Sequence, residues 1–170
     1  MIDSFVAYIE HLELLTFFSG YPIIYALVKA FWGKGQNSSP LIESLYRSLA
    51  MAYALVGTFF ILLWFREIYI QQVIKNTEPG LNLSALRIWG FLSIIFWFPL
   101  FRKKPVYSLI HSFVFFFLFC KDLITGLGSE IGKDVITNDM KVYTVSIILH
   151  LISLILVSLV YFIVNKNRHH

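Results

Sequence analysis

Charge is what this sequence has least of. Asp, Glu, Lys and Arg make up 14% of its 170 residues and hydrophobic residues 58%, with a mean hydropathy of +0.72; soluble globular domains carry about 25% charged residues. Cysteine is nearly absent as well. With Cys120 alone, an intrachain disulfide is impossible, and Cys-rich metal sites and disulfide-exchange chemistry are excluded. The sequence also lacks a glycine-rich phosphate loop, an HExxH pair and a nucleophile with an evident His or Lys partner. No catalytic residue and no cofactor is therefore assigned. No repeat of 20–50 residues, low-complexity tract or interdomain linker breaks the chain, so residues 1–170 read as a single membrane domain.

What remains is five long apolar segments, at about residues 12–32, 48–65, 85–101, 106–127 and 142–164. Each approaches the roughly 20 residues that a helix rising about 1.5 Å per residue needs to cross about 30 Å of hydrocarbon. Backbone polar groups in lipid must pair within their own segment, so the segments are expected to be helices. A β-barrel would show stretches of about ten residues with alternating polarity, and the run from Phe113 to Cys120 has no alternation. The fold expected is an all-α, polytopic integral membrane bundle with five transmembrane helices. The third is the weakest, being short and carrying Pro99; were it re-entrant, both termini would share a side.

The formal net charge of +4 does not point to nucleic acid, because the basic residues form no long face and gather at segment ends. That placement fits membrane orientation and attraction to anionic headgroups. One side collects Lys29, Lys34, Arg47, Arg102, Lys103, Lys104, Lys166 and Arg168, the other Arg66, Lys75, Arg87, Lys121, Lys133 and Lys141. The first set includes Arg102-Lys103-Lys104 in a very short loop, where the positive-inside rule is strongest. The N-terminus is expected outside and the C-terminus in the cytoplasm. Trp64, Trp89 and Tyr143 would then lie near the outer ends, with Trp32, Trp97, Tyr107 and Tyr161 towards the inner ends, as interfacial aromatics do. The first segment has no basic region before it and no small-residue cleavage site after it, and reads as a retained span. His169 and His170 are given no role.

Local signals refine the elements. Residues 1–11 are amphipathic. Pro22 lacks the donor that would bond the Phe18 carbonyl, and Gly20 weakens the same turn, so a kink is expected there. Such kinks mark packing features more often than gates. The stretch 33–40 reads as a flexible connection, and the second helix should run on past Arg66 to Ile74. Asn82 or Ser84 should cap the third span. Residues 102–105 should close a tight hairpin, and residues 126–141 should form a small outer loop.

Polar residues inside spans are costly and so are snorkelling, paired or functional. Ser108, His111, Phe115, Leu118 and Asp122 share one helical face, as do Tyr143, Ser146, His150, Ser153 and Tyr161; neither face suits lipid. Ala50, Ala54, Gly57 and Thr58 form a small-residue surface for close helix contact. Glu13, Arg66, Glu67, Arg87, Lys121, Asp122 and His150 are expected to form a polar cluster in the outer half. It would serve either as ion pairs that fix helix register or as an ion or proton path with Asp122 or Glu13 as the carboxylate and His150 as the relay. His111 and His150 differ in expected depth by more than about 10 Å, too far for one haem, and no two histidines have a metal-binding helical spacing.

Two functions follow from different classes. One is a non-enzymatic subunit or scaffold of a membrane complex, packing against other integral membrane proteins or copies of itself. The other is a small channel or ion- or proton-coupled transporter working through the outer polar cluster. The expected location is a membrane, in particular a prokaryotic inner membrane.

Overall fold

In a computed structural model, which describes residues 11–32, 40–74, 84–127 and 132–167, every regular element is a helix. The order is α1 (residues 11–18), α2 (Tyr21–Trp32), α3 (Pro40–Tyr69), α4 (Ala85–Phe91), α5 (Pro99–Arg102), α6 (Val106–Leu127) and α7 (Gly132–Asn167). A π-helical turn over Ile70–Ile74 follows α3, and a 3-10 segment over Leu92–Trp97 links α4 towards α5. Four helices are long and apolar enough to cross a membrane: His11–Phe31, Glu43–Tyr69, Val106–Thr125 and Met140–Val164. They point to a membrane-embedded protein. The expected amphipathic stretch 1–10 and the connection 33–39 lie outside the described residues.

The third apolar segment differs from a simple span. Its continuous helical part is the shorter Ala85–Trp97. Ser84 caps α4, its Oγ accepting the Arg87 backbone N–H at 3.2 Å. After Phe91 the winding tightens to 3-10 where Ser93 meets Gly57 of α3. A Cβ at Gly57 would fall 1.8 Å from the Ser93 Oγ, so the two backbones approach closely only because one side chain is missing. The segment then breaks at Phe98, which is extended (ψ 138°), because Pro99 bars the helical region to the residue before it. Pro99 instead starts α5, and the turn 103–105 reverses the chain into α6 as the hairpin expected.

The kink at Gly20 and Pro22 takes the form of a break between α1 and α2 at Ser19–Gly20. The Gly20 N–H, released from the helix ladder, donates to Ser146 Oγ on α7 at 2.9 Å. A Cβ on Gly20 would lie 2.6 Å from the Ile147 nitrogen, so the glycine is what lets α7 lie against the break. The outer loop expected over 126–141 requires correction. Helix α6 continues to Leu127 and α7 begins at Gly132, since no proline stands between Lys133 and Lys141 to stop a helix.

Helix α3 is the centre of the bundle and packs against α2, α7, α4 and the 3-10 segment. Leu49, Ala50, Ala52, Tyr53, Ala54, Val56 and Phe60 are buried along it. The small-residue face does what its residue sizes imply: Ala50 and Ala54 are buried, Gly57 admits Ser93, and Thr58 Oγ1 bonds back to the Ala54 carbonyl while accepting Trp97 Nε1 at 2.9 Å. An aromatic stack fills the space between helices. Phe18 lies on Phe115 with centroids 4.7 Å apart and meets Phe60 edge-on at 5.4 Å, offset and edge-to-face geometries that aromatic pairs prefer.

Candidate functional site

Two polar groupings are built into this bundle. The first is at the end where α4 begins, α6 nears its end and the described part of α1 starts. Helix α1 carries His11 and Glu13 at its described start, and the kinked entry of the chain brings both to the neighbouring helices. His11 Nε2 meets Asp122 Oδ2 of α6 at 2.5 Å, with side chains 24% and 29% exposed. Arg87 of α4, almost fully buried, has Nη2 3.9 Å from Glu13 Oε2. Helix α1 thus meets α6 through the His11–Asp122 contact and α4 through the Glu13–Arg87 ion pair. The ties connect segments far apart in sequence and fix the register of α1 against α4 and α6.

This grouping overlaps with the cluster expected from sequence but is not the same. Glu13, Arg87 and Asp122 come together, and His11 joins them. Arg66, Glu67 and Lys121 are exposed; each sits on the outward side of its helix. His150 requires correction, because it lies away from this rim, deep among aromatic rings. Spacing along α6 pointed to Asp122, and hydropathy to the costly charges, but nothing local in sequence pairs His11 with a residue 111 positions away.

The second grouping is the buried one, assembled from α2, α3, α6 and α7 around Tyr53. Tyr53 and Tyr21 are fully enclosed, with ring centroids 4.5 Å apart. The Tyr53 hydroxyl is 2.7 Å from His111 Nδ1, while His111 Nε2 is 2.8 Å from the Trp89 carbonyl. A carbonyl only accepts, so Nε2 carries the hydrogen; Nδ1 of the neutral ring is then the acceptor for the tyrosine O–H. Trp89 returns the bond, its Nε1 donating to the His111 carbonyl at 3.1 Å, and its indole stacks on the imidazole at 4.9 Å. On the α2 side, Tyr21 donates to Ser108 Oγ at 2.7 Å, and Ser108 donates to the Pro105 carbonyl.

His150 stacks on Tyr53 with centroids 5.9 Å apart and 12° between planes, and touches Tyr21 at 5.3 Å. It is 1% exposed, and neither ring nitrogen has a hydrogen-bond partner among the described residues. Its packing is therefore through ring faces. Both imidazoles pack on the one Tyr53 ring, His111 at 5.6 Å and His150 at 5.9 Å. Each nitrogen of His111 is already engaged. Among the described residues, no three His, Cys, Asp or Glu side chains converge as a metal site would require.

The inward faces of α6 and α7 are those expected. Ser108, His111 and Phe115 are buried on one, and Tyr143, Ser146, His150 and Ser153 on the other. Tyr143 is buried and stacks on Phe119 at 4.2 Å. Trp89 likewise spends its indole on His111. Tyr21 and Tyr53, which hold the buried grouping together, stand in apolar runs without any motif to mark them.

No family model, curated protein or solved structure matches this chain.

Proposed function

We propose that this chain is a non-enzymatic subunit or scaffold of a membrane complex, packing its helices against other integral membrane proteins or against copies of itself. The observation that carries the reading is the outward character of α6 and α7. Only 28% of the best apolar window in Val106–Thr125 and 22% of that in Met140–Val164 is buried within the bundle. Large side chains such as Ile148, Ile152, Ile155 and Leu159 face away from it. Inside, Tyr21–Ser108, Tyr53–His111 and Gly20–Ser146 tie helices together, which suits a rigid body with helix sides to offer.

The same reading includes a fifth crossing by residues 85–101, an outside N-terminus, a cytoplasmic C-terminus and residence in a prokaryotic inner membrane. Its support is the basic Arg102-Lys103-Lys104 turn. Affinity capture of the full chain from its native membrane in mild detergent tests the proposal. Integral membrane partners or further copies should co-purify, and Ile152→Lys on the outward face should release them. A lone monomer from native membrane would sink the reading.

A second reading, a small channel or an ion- or proton-coupled transporter, is favoured by the carboxylates Asp122 and Glu13 meeting His11 and Arg87 at one end of the bundle. Asp122→Asn in proteoliposomes decides this alternative. Flux that depends on the carboxylate supports it, and flux no greater than that of empty vesicles with either chain removes it.

A further inference from the structure

At the opposite end of the bundle from Glu13, a groove of about 330 Å³ runs between α3 and α7 and is closed at one side by the 3-10 segment. Its walls are apolar, with Leu55 of α3 facing Leu156 and Val160 of α7, and its mouth is lined by Trp97, Arg102 and Tyr161. Met51 and Val164 complete the lining, so the slot joins aliphatic surface to a Trp, a Tyr and an Arg, the residue types that meet lipid headgroups. Arg102 stands in the groove wall itself, and the next residues, Lys103 and Lys104, are both exposed. A fourth cation is near: Arg47, paired with Glu43, also interacts with Tyr161. Arg102 in the wall, and Arg47 with Glu43 against the lining residue Tyr161, thus put two basic side chains and one carboxylate at one apolar slot.

We infer that this groove is a binding site for an anionic phospholipid, with one acyl chain lying along Leu55, Leu156 and Val160 and the phosphate held at Arg102. The commitment to an anionic lipid rests on the charge at the mouth. A neutral lipid would gain the apolar contact but no more from the basic side chains than at any interface. The planar guanidinium of Arg102 offers paired donors to phosphate oxygens, and a basic side chain near an anionic headgroup contributes about fivefold in binding. Trp97 is held in place by its bond to Thr58, so the mouth is shaped before a lipid arrives.

The experiment uses the full chain in detergent micelles, titrated with phosphatidylglycerol or with phosphatidylcholine, the bound lipids being counted by native mass spectrometry. One phosphatidylglycerol should bind in preference to phosphatidylcholine. Arg102→Gln should weaken the anionic lipid about fivefold and leave the neutral one unchanged, whereas Arg102→Lys should keep most of the preference. Val160→Trp, an outward substitution that fills the slot, should weaken both lipids. Equal binding of the two lipids, or binding indifferent to Arg102→Gln and Val160→Trp, would overturn the site. A photocrosslinker at position 160 should capture lipid in native membrane; capture of a polypeptide there would equally overturn it.

Discussion

Gly20 is the residue on which the meeting of α1, α2 and α7 turns. It gives up a ladder bond because the helix breaks ahead of Pro22, and it recovers that bond from Ser146. Gly20→Ala would drive a methyl against the Ile147 backbone, and it should cost about 1–3 kcal/mol, as overpacked sites do. Unfolding midpoints in mixed micelles will check this. Tyr53→Phe removes the hydroxyl that satisfies His111 Nδ1 and should cost about 1–2 kcal/mol in the same assay; an unchanged midpoint would mean that the imidazole finds another donor. At the rim, alanine substitution of His11 and Asp122 singly and together should give a coupling of about 0.2–1 kcal/mol, the range of partly exposed pairs. At this scale the sequence announced inward faces but not partners. Periodicity places Asp122, His111 and His150 on inward stripes, yet which ring each meets depends on helix offsets that no local pattern encodes.

Among the elements, the third apolar segment carries the most conflict between local and tertiary demands. Ser93 against Gly57 pulls the chain into 3-10 winding, and Pro99 then stops it. Gly57→Ala should loosen this segment by forcing Ser93 away, a loss of about 1–3 kcal/mol. Adding Ser93→Gly should recover part of the loss, since it removes the side chain that the new methyl would strike. Limited proteolysis near Arg102 offers a second readout, with faster cleavage in the single variant than in the double one. Element boundaries were legible wherever a physical signal marks them: Ser84 as a cap, Pro99 as a stop, the glycine–proline break, and the run of α3 beyond Arg66. Polarity alone misled at residues 132–141, because a helix that has left hydrocarbon can be polar without being a loop.

For the molecule as a whole, the number of crossings decides which surfaces share a compartment. With Cys120 changed to serine, single cysteines at Ser4 and Asn167 can be labelled by an impermeant maleimide in intact cells. A crossing by residues 85–101 predicts labelling of the first alone; labelling of both or neither would mean that this segment turns back. Helix α7 sets a further condition on any arrangement. Its 36 residues extend about 54 Å at 1.5 Å per residue, against about 30 Å of hydrocarbon. The excess has no proline at which to fold away. By apolarity the crossing part of α7 is Met140–Val164, 25 residues, so 11 of its 36 residues lie beyond that stretch on the same unbroken helix. With no proline to bend it, any arrangement that sets the tilt of α7 against Gly20 also sets where both of its ends stand.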